Sequence, residues 1–155
     1  MALEIERKYL VVNDKWKPFA VSETLMKQAY LLASPDLSIR VRVAGEQAFL
    51  TIKGATEGIT RSEFEYPIPV ADAEQMLTGL VQGSVIDKVR FRVRCGEHIW
   101  DLDQFHGDNQ GLVVAEIELA SEDEAFERPD WVGQEVSDDP RYYNASLARH
   151  PYCEW

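Results

Sequence analysis

Polar and apolar side chains alternate with period two along segment after segment of this chain. That is the mark of strands whose two faces meet different surroundings. The alternation predicts strands near 3–12, 26–33, 37–44, 47–53, 59–69, 84–94, 97–105 and 112–120. Turn signals separate several of them: Ala44-Gly45-Glu46, Cys95-Gly96-Glu97, and the loop from His106 to Gly111. Short connections imply antiparallel neighbours, and eight such strands suit closure into a barrel, which leaves no open sheet edge. Helices are few. Apolar positions at Ala73, Met76, Leu77, Leu80 and Val81 predict a helix over 71–82, with Asp72 and Gln75 spaced as a capping box. Ser121 and Glu124 predict a short acidic helix that Pro129 stops. Asp139-Pro140 predicts a C-terminal helix through about Arg149, and a further short helix is expected around Asp14–Phe19. The expected class is α+β: an eight-stranded antiparallel barrel or tunnel with a charged lumen and a few peripheral helices.

The polar positions themselves change the picture. One face of the first strand carries Glu4, Glu6 and Lys8, and the third carries Arg40 and Arg42. The fourth carries Thr51 and Lys53, and the fifth Glu63 and Glu65. The sixth runs Lys88, Arg90, Arg92 and Arg94, the seventh has Asp101 and Asp103, and the eighth Glu116 and Glu118. Any one of these strands is read most simply as having a solvated face. Taken together, the faces hold eight carboxylates and eight cations with almost no other polar residue, while the opposite faces are apolar enough to need covering. A barrel with its apolar face outward and its charges in the lumen accounts for both. Enclosed charges are costly unless paired, hydrated or neutralised by a ligand, so the lumen is expected to bind one. Clustered Arg and Lys suit phosphate oxygens. Clustered Asp and Glu without His or Cys suit a hard cation, Mg²⁺ or Mn²⁺. Both signs in one place describe a metal–polyphosphate complex.

Composition narrows this further. At 155 residues the chain is expected to form one domain, 1–155, with a core of its own. A net charge of −11 argues against nucleic acid and anionic membranes as partners, so affinity for phosphate must be local and enclosed. No run of about 18 apolar residues is present, and the charged N-terminal segment lacks a signal peptide's apolar stretch, so a cytoplasmic location is expected. Cys95 and Cys153 have neither metal-ligand nor disulfide spacing. His98, His106 and His150 are isolated and read as loop or surface residues, and the four tryptophans as packing. Ser137, Ser146 and the cysteines lack an evident base partner, which argues against a covalent nucleophile. A homodimer is compatible with all of this and not required by it.

The ordered motifs resemble a known family. Glu4-Ile5-Glu6-Arg7-Lys8 resembles the N-terminal ExExK motif of the CYTH superfamily, the triphosphate tunnel metalloenzymes. Gln28 to Leu31, Arg40-Val41-Arg42, Lys53-Gly54, Glu63-Phe64-Glu65, Lys88-Val89-Arg90, Asp103-Gln104-Phe105 and Glu116-Ile117-Glu118 follow in the family's order. The short length is most like bacterial members that hydrolyse inorganic tripolyphosphate. The resemblance implies an eight-stranded tunnel in which Lys8, Arg40, Arg42, Lys53 and Arg90 grip phosphate, with Arg92 on the same face but less firmly assigned. It implies that Glu4, Glu6, Glu63, Glu65, Asp103, Glu116 and Glu118 hold metal, directly or through water. Lys88 and Tyr30 are carried over as residues near the attacked phosphorus, with Lys8 beside them. The expected reaction is metal-dependent hydrolysis of a triphosphate, most like tripolyphosphate to pyrophosphate and phosphate. A class IV-type adenylate cyclase and a thiamine triphosphatase are rivals within the family, and a polyphosphate-binding sensor is the non-enzymatic rival.

Overall fold

The computed structural model describes residues 3–155. Nine strands form the framework: β1 (Leu3–Val11), β2 (Ala20–Ala33), β3 (Leu37–Ala44), β4 (Gln47–Gly54), β5 (Thr60–Ile68), β6 (Gln82–Cys95), β7 (His98–Phe105), β8 (Val113–Glu118) and β9 (Val132–Glu135). Helix α1 (Val70–Gly79) follows β5, and α2 (Asn144–Arg149) lies near the C-terminus. The first eight strands run β5-β4-β3-β2-β6-β7-β8-β1, and β1 pairs back onto β5, so the sheet closes into an antiparallel barrel. Strand β9 is an addition: β5 holds Leu3 to Ile5 of β1, and β9 takes over the same edge at Tyr9 and Val11. In the two-residue hairpin between β3 and β4, Gly45 takes φ +60°, the value a primed turn asks of its first position.

Packing lies mainly outside the barrel. The outward residues of β1, β6, β7 and β8 form a cluster of Tyr9, Val93, Trp100, Leu102, Ala115 and Ile117, covered by Trp16, Phe126 and Trp131. Helix α1 seals Val41 and Ala48 of β3 and β4 with Ala73, Met76 and Leu77. A third cluster lies inside. Tyr30, Ile86, Phe105 and Val114 alternate into the lumen, where Leu147 and Ala148 of α2 pack against them. One part of the lumen is therefore apolar and plugged by α2, a feature the charge pattern alone does not reveal.

Several expected elements differ. The segment after Ser121 is not helical: Glu124 accepts from the backbone N–H of Ala120, Ser121 bonds Asp123, and Phe126 is drawn into the outer cluster. Local side-chain bonds of this kind compete with a helix. Helix α1 starts at Val70, ahead of the Asp72–Gln75 spacing, and has no side-chain cap. Asp139 does cap a turn, accepting from Arg141 N, but the turn is a 3-10 helix and α2 begins only at Asn144. Strand β2 extends back to Ala20.

Gly83 seats α2. Its φ is +77°, and a Cβ there would meet the carbonyl oxygen of Ala148 at 2.5 Å. Gly83→Ala is expected to cost about 1–3 kcal/mol, through left-handed strain and displacement of α2. Thermal unfolding checks this; an unchanged melting temperature contradicts it.

Candidate active site

The charged lumen is a cavity of about 620 Å³. Its wall is built by register. Pairing of β2 with β3 and β6 sets Gln28 opposite Arg42 and Thr24 opposite Arg90, and pairing of β6 with β7 sets Arg90 opposite Asp103. Of the residues expected from sequence, Glu4, Glu6, Lys8, Tyr30, Arg40, Arg42, Lys53, Glu63, Glu65, Arg90, Glu116 and Glu118 line this cavity, as does Asp101. Three others do not. Lys88 and Asp103 are fully buried behind the wall at 0% exposure, and Arg92 has a side chain 55% exposed that reaches Asp101 at 3.6 Å. Arg92 thus lies apart from the other cations because it sits beyond the enclosed part of β6.

The buried layer is cation-rich. Asp103 accepts from Lys88 Nζ at 2.7 Å and from Arg90 Nε and Nη2 at 2.8 and 2.9 Å. Burial opposes ionisation of Asp103, but Arg90 and Lys88 hold its carboxyl far below the usual range. Burial also pulls Lys88 down to about 7; Asp103 resists this, and Arg90 and Arg42 add to it. Arg42 is brought down to about 9 by burial and by its neighbours Arg40 and Arg90. Its Nε donates to Gln28 Oε1 at 2.7 Å, yet no carboxylate lies within ion-pair distance among the described residues. Lys8 is buried, but Glu116, Glu6 and Asp103 outweigh the burial and keep its pKa raised. Its Nζ lies 3.6 Å from Glu116 and donates to the carbonyl of Tyr142 at 3.0 Å. Arg40 donates to Thr51 Oγ1, and Thr51 donates in turn to Glu65 at 2.9 Å.

The carboxylates form a second zone. Lys53 Nζ lies 2.7 Å from Glu4 and 3.3 Å from Glu63. Burial and the neighbouring Glu4 push Glu63 up to about 7. Glu6 is raised well above the normal range by burial and by Glu116 and Glu4. Burial, Glu4 and Asp101 raise Glu118 at the rim. Carboxyls that crowd one another in this way, with no His or Cys among them, fit a hard divalent cation. No trio of His, Cys, Asp or Glu among the described residues closes on a metal through protein atoms alone. Any cation held here must therefore complete its shell with water or ligand oxygens, as Mg²⁺ commonly does. His98 bonds Glu124 at 2.5 Å on the outer surface, and His106 and His150 are exposed, so none joins the cavity.

Sequence reasoning missed several contributors, Arg61, Asn144 and Arg149 among them. Arg61 shares the face of Glu63 and Glu65 and lines the cavity; extending the same alternation by one step finds it. Asn144 lines it from α2, and no periodicity in the sequence points there.

Comparison with known proteins places these features. The CYTH domain family matches residues 2–152. A curated relative from Acetivibrio thermocellus named inorganic triphosphatase is 44% identical over 98% of this chain and 97% of its own length. One of the same name from Nitrosomonas europaea is 35% identical, covering 94% of this chain and 96% of its own. A solved structure of an inorganic triphosphatase superposes with a TM-score of 0.67 at 32% identity, covering 96% of this chain and 95% of that one.

Proposed function

Because the chain belongs to the CYTH domain family, we propose that it is a metal-dependent triphosphatase that splits inorganic tripolyphosphate into pyrophosphate and phosphate. The observation that carries this reading is Arg42: a buried guanidinium facing the cavity beside Arg40 and Arg90, with no carboxylate within ion-pair distance among the described residues. A cluster of that kind is stabilised by an anion of high charge density, and arginine suits phosphate oxygens bidentately.

In this reading Lys8, Arg40, Arg42, Lys53 and Arg90 bind and orient the substrate's oxygens, and those nearest the reacting phosphorus, Arg40 not among them, neutralise charge that builds during phosphoryl transfer. Glu4, Glu6, Glu63, Glu116 and Glu118 are the residues that would hold Mg²⁺ or Mn²⁺. Glu65 and Asp103 support them from their bonds to Arg40 and to Lys88 and Arg90. The cation, when bound, supplies Lewis-acid polarisation and an acidified water. Tyr30 borders the reacting end. Lys88, with its pKa near neutrality, is the candidate acceptor of the attacking water's proton in this reading, and because it is sealed behind the wall a direct transfer to Nζ requires that wall to open. Residues 1–155 act as one domain. Among the described residues no helix is long and apolar enough to cross a membrane; in this reading the partner is a small-molecule triphosphate and the proposed location is the cytoplasm.

The test is to incubate the protein with Mg²⁺ or Mn²⁺ and, separately, tripolyphosphate, ATP and thiamine triphosphate, measuring phosphate, pyrophosphate and cyclic AMP. Phosphate and pyrophosphate from tripolyphosphate at the highest kcat/KM are expected. Cyclic AMP as the main product overturns the choice in favour of a cyclase, and binding without turnover in favour of a sensor. In the same assay Arg40→Ala should raise KM about 10- to 100-fold with kcat little changed, the loss expected for one charged hydrogen bond to substrate.

A further inference from the structure

The orientation of the Asn144 amide is dictated by its neighbours. Arg42 carries only donors, so the 2.7 Å bond from its Nε identifies the receiving atom of Gln28 as Oε1. That turns Gln28 Nε2 toward α2, where it donates to Asn144 Oδ1 at 3.1 Å. Lys88 Nζ, as an ammonium, gives a second bond to the same oxygen at 3.2 Å. Both acceptor positions of Oδ1 are thus filled, and flipping the amide would set N–H against N–H at Gln28, whose own orientation Arg42 fixes, and at Lys88 whenever it is an ammonium. The Nδ2 group is left over. No oxygen of the described residues accepts from it, and Asn144 lines the charged cavity.

We propose that Asn144 Nδ2 donates a hydrogen bond to a phosphate oxygen of the bound substrate, and that Gln28 is the positioning residue that holds the amide in that orientation. The inference rests on the triphosphate reading above for the identity of the ligand. A neutral donor suits this place. Arg42, Arg90 and Lys88 already crowd the layer behind it, and a further cation there would add repulsion without a counter-charge. The donor comes from α2, so the plug that closes part of the lumen also contributes to the binding surface.

Asn144→Asp separates this role from a structural one. The aspartate keeps an oxygen for Lys88 and Gln28 but replaces the free donor with a second carboxylate oxygen, which repels phosphate. Tripolyphosphate is titrated calorimetrically into the wild type, Asn144→Asp and Asn144→Ala, with hydrolysis and thermal unfolding measured in parallel. The expected result is affinity about 100-fold weaker or worse in Asn144→Asp, at every pH where the wild type binds, and about 10- to 100-fold weaker in Asn144→Ala. Near-wild-type affinity in Asn144→Asp overturns the proposal, because only the retained oxygen then matters. Recovery of its affinity at alkaline pH overturns it too, since the effect then runs through Lys88. Should Asn144→Asp fail to fold, Asn144→Ala decides: about a tenfold loss or more supports the donor, and less overturns it. A wild type that binds tripolyphosphate without hydrolysing it defeats the enzymatic reading and leaves this comparison intact. A wild type that does not bind it defeats both.

Discussion

Lys88→Met is expected to lower kcat for triphosphate hydrolysis about 10²- to 10⁴-fold, the range for loss of a positioned proton acceptor, while KM moves only a few-fold. Lys88 is fully buried, its Nζ lies 5.4 Å from the centre of the Phe105 ring, and methionine matches its length, so the variant should keep the packing. The free protein's Lys88 titrates near 7, and only its neutral form can accept a proton. Activity limited by that group therefore rises as pH climbs through about 7, and this acid limb should vanish from the kcat/KM profile of Lys88→Met. Equal losses in kcat and in apparent affinity would make Lys88 one more grip on phosphate. Lys88 is shielded from the cavity, with Asn144 and Asp103 on its ammonium, so this experiment bears directly on how the proton reaches it.

Asp103→Asn should cost about 3–5 kcal/mol of folding free energy, the range seen when one partner is taken from a buried ionic network. Asp103 receives three hydrogen bonds of 2.7 to 2.9 Å from two cations, and the side chain is sealed. The amide keeps the shape but not the charge, leaving Lys88 with no ion-pair partner among the described residues and Arg90 with Asp101 alone, at 3.7 Å. The sign with pH follows from the depressed pKa of Asp103. Its stabilisation is fully present above the unfolded carboxylate range and is lost as pH falls toward the folded value. The gap between wild type and variant in urea unfolding should thus narrow in acid. Tripolyphosphate should stabilise the variant more than the wild type, since phosphate oxygens would supply the missing charge. A loss below about 1 kcal/mol would mean that Arg90 and Lys88 find other partners.

The sequence made the barrel readable because alternation survives enclosure: charged side chains recur on one face of every barrel strand except β2, with apolar side chains on the other. The pairing of Arg40 with Glu65 and of Lys53 with Glu4 follows from such faces once the ring closes. What was not legible depends on contacts distant in the chain. Strand β9 is four residues with only Val132 strongly apolar, and it exists because β1 has an edge free beyond Ile5. The acidic segment after Ser121 looked helical because spacing cannot show that Phe126 would be pulled against Tyr9 and Trp100. Lys88 and Arg92 carry the same alternation, yet one is sealed and the other exposed; depth along the lumen is invisible to a period of two. Asn144 reaches the cavity from a helix, so no strand pattern could announce it.

The seam at β1 has a kinetic side. The first strand of the chain is also the last piece of the ring, since it must find β8, more than a hundred residues away, and β5 at once. Hairpins such as β3–β4 and β6–β7 can form early from local contacts, whereas closure waits on the most distant pairings, which slows folding. Until β1 arrives, the inward faces of the other strands remain in water and their charges stay hydrated. Desolvation of the charged lumen and completion of the triphosphate site are thus one late event, and a chain arrested before it has most of its hairpins and none of its function.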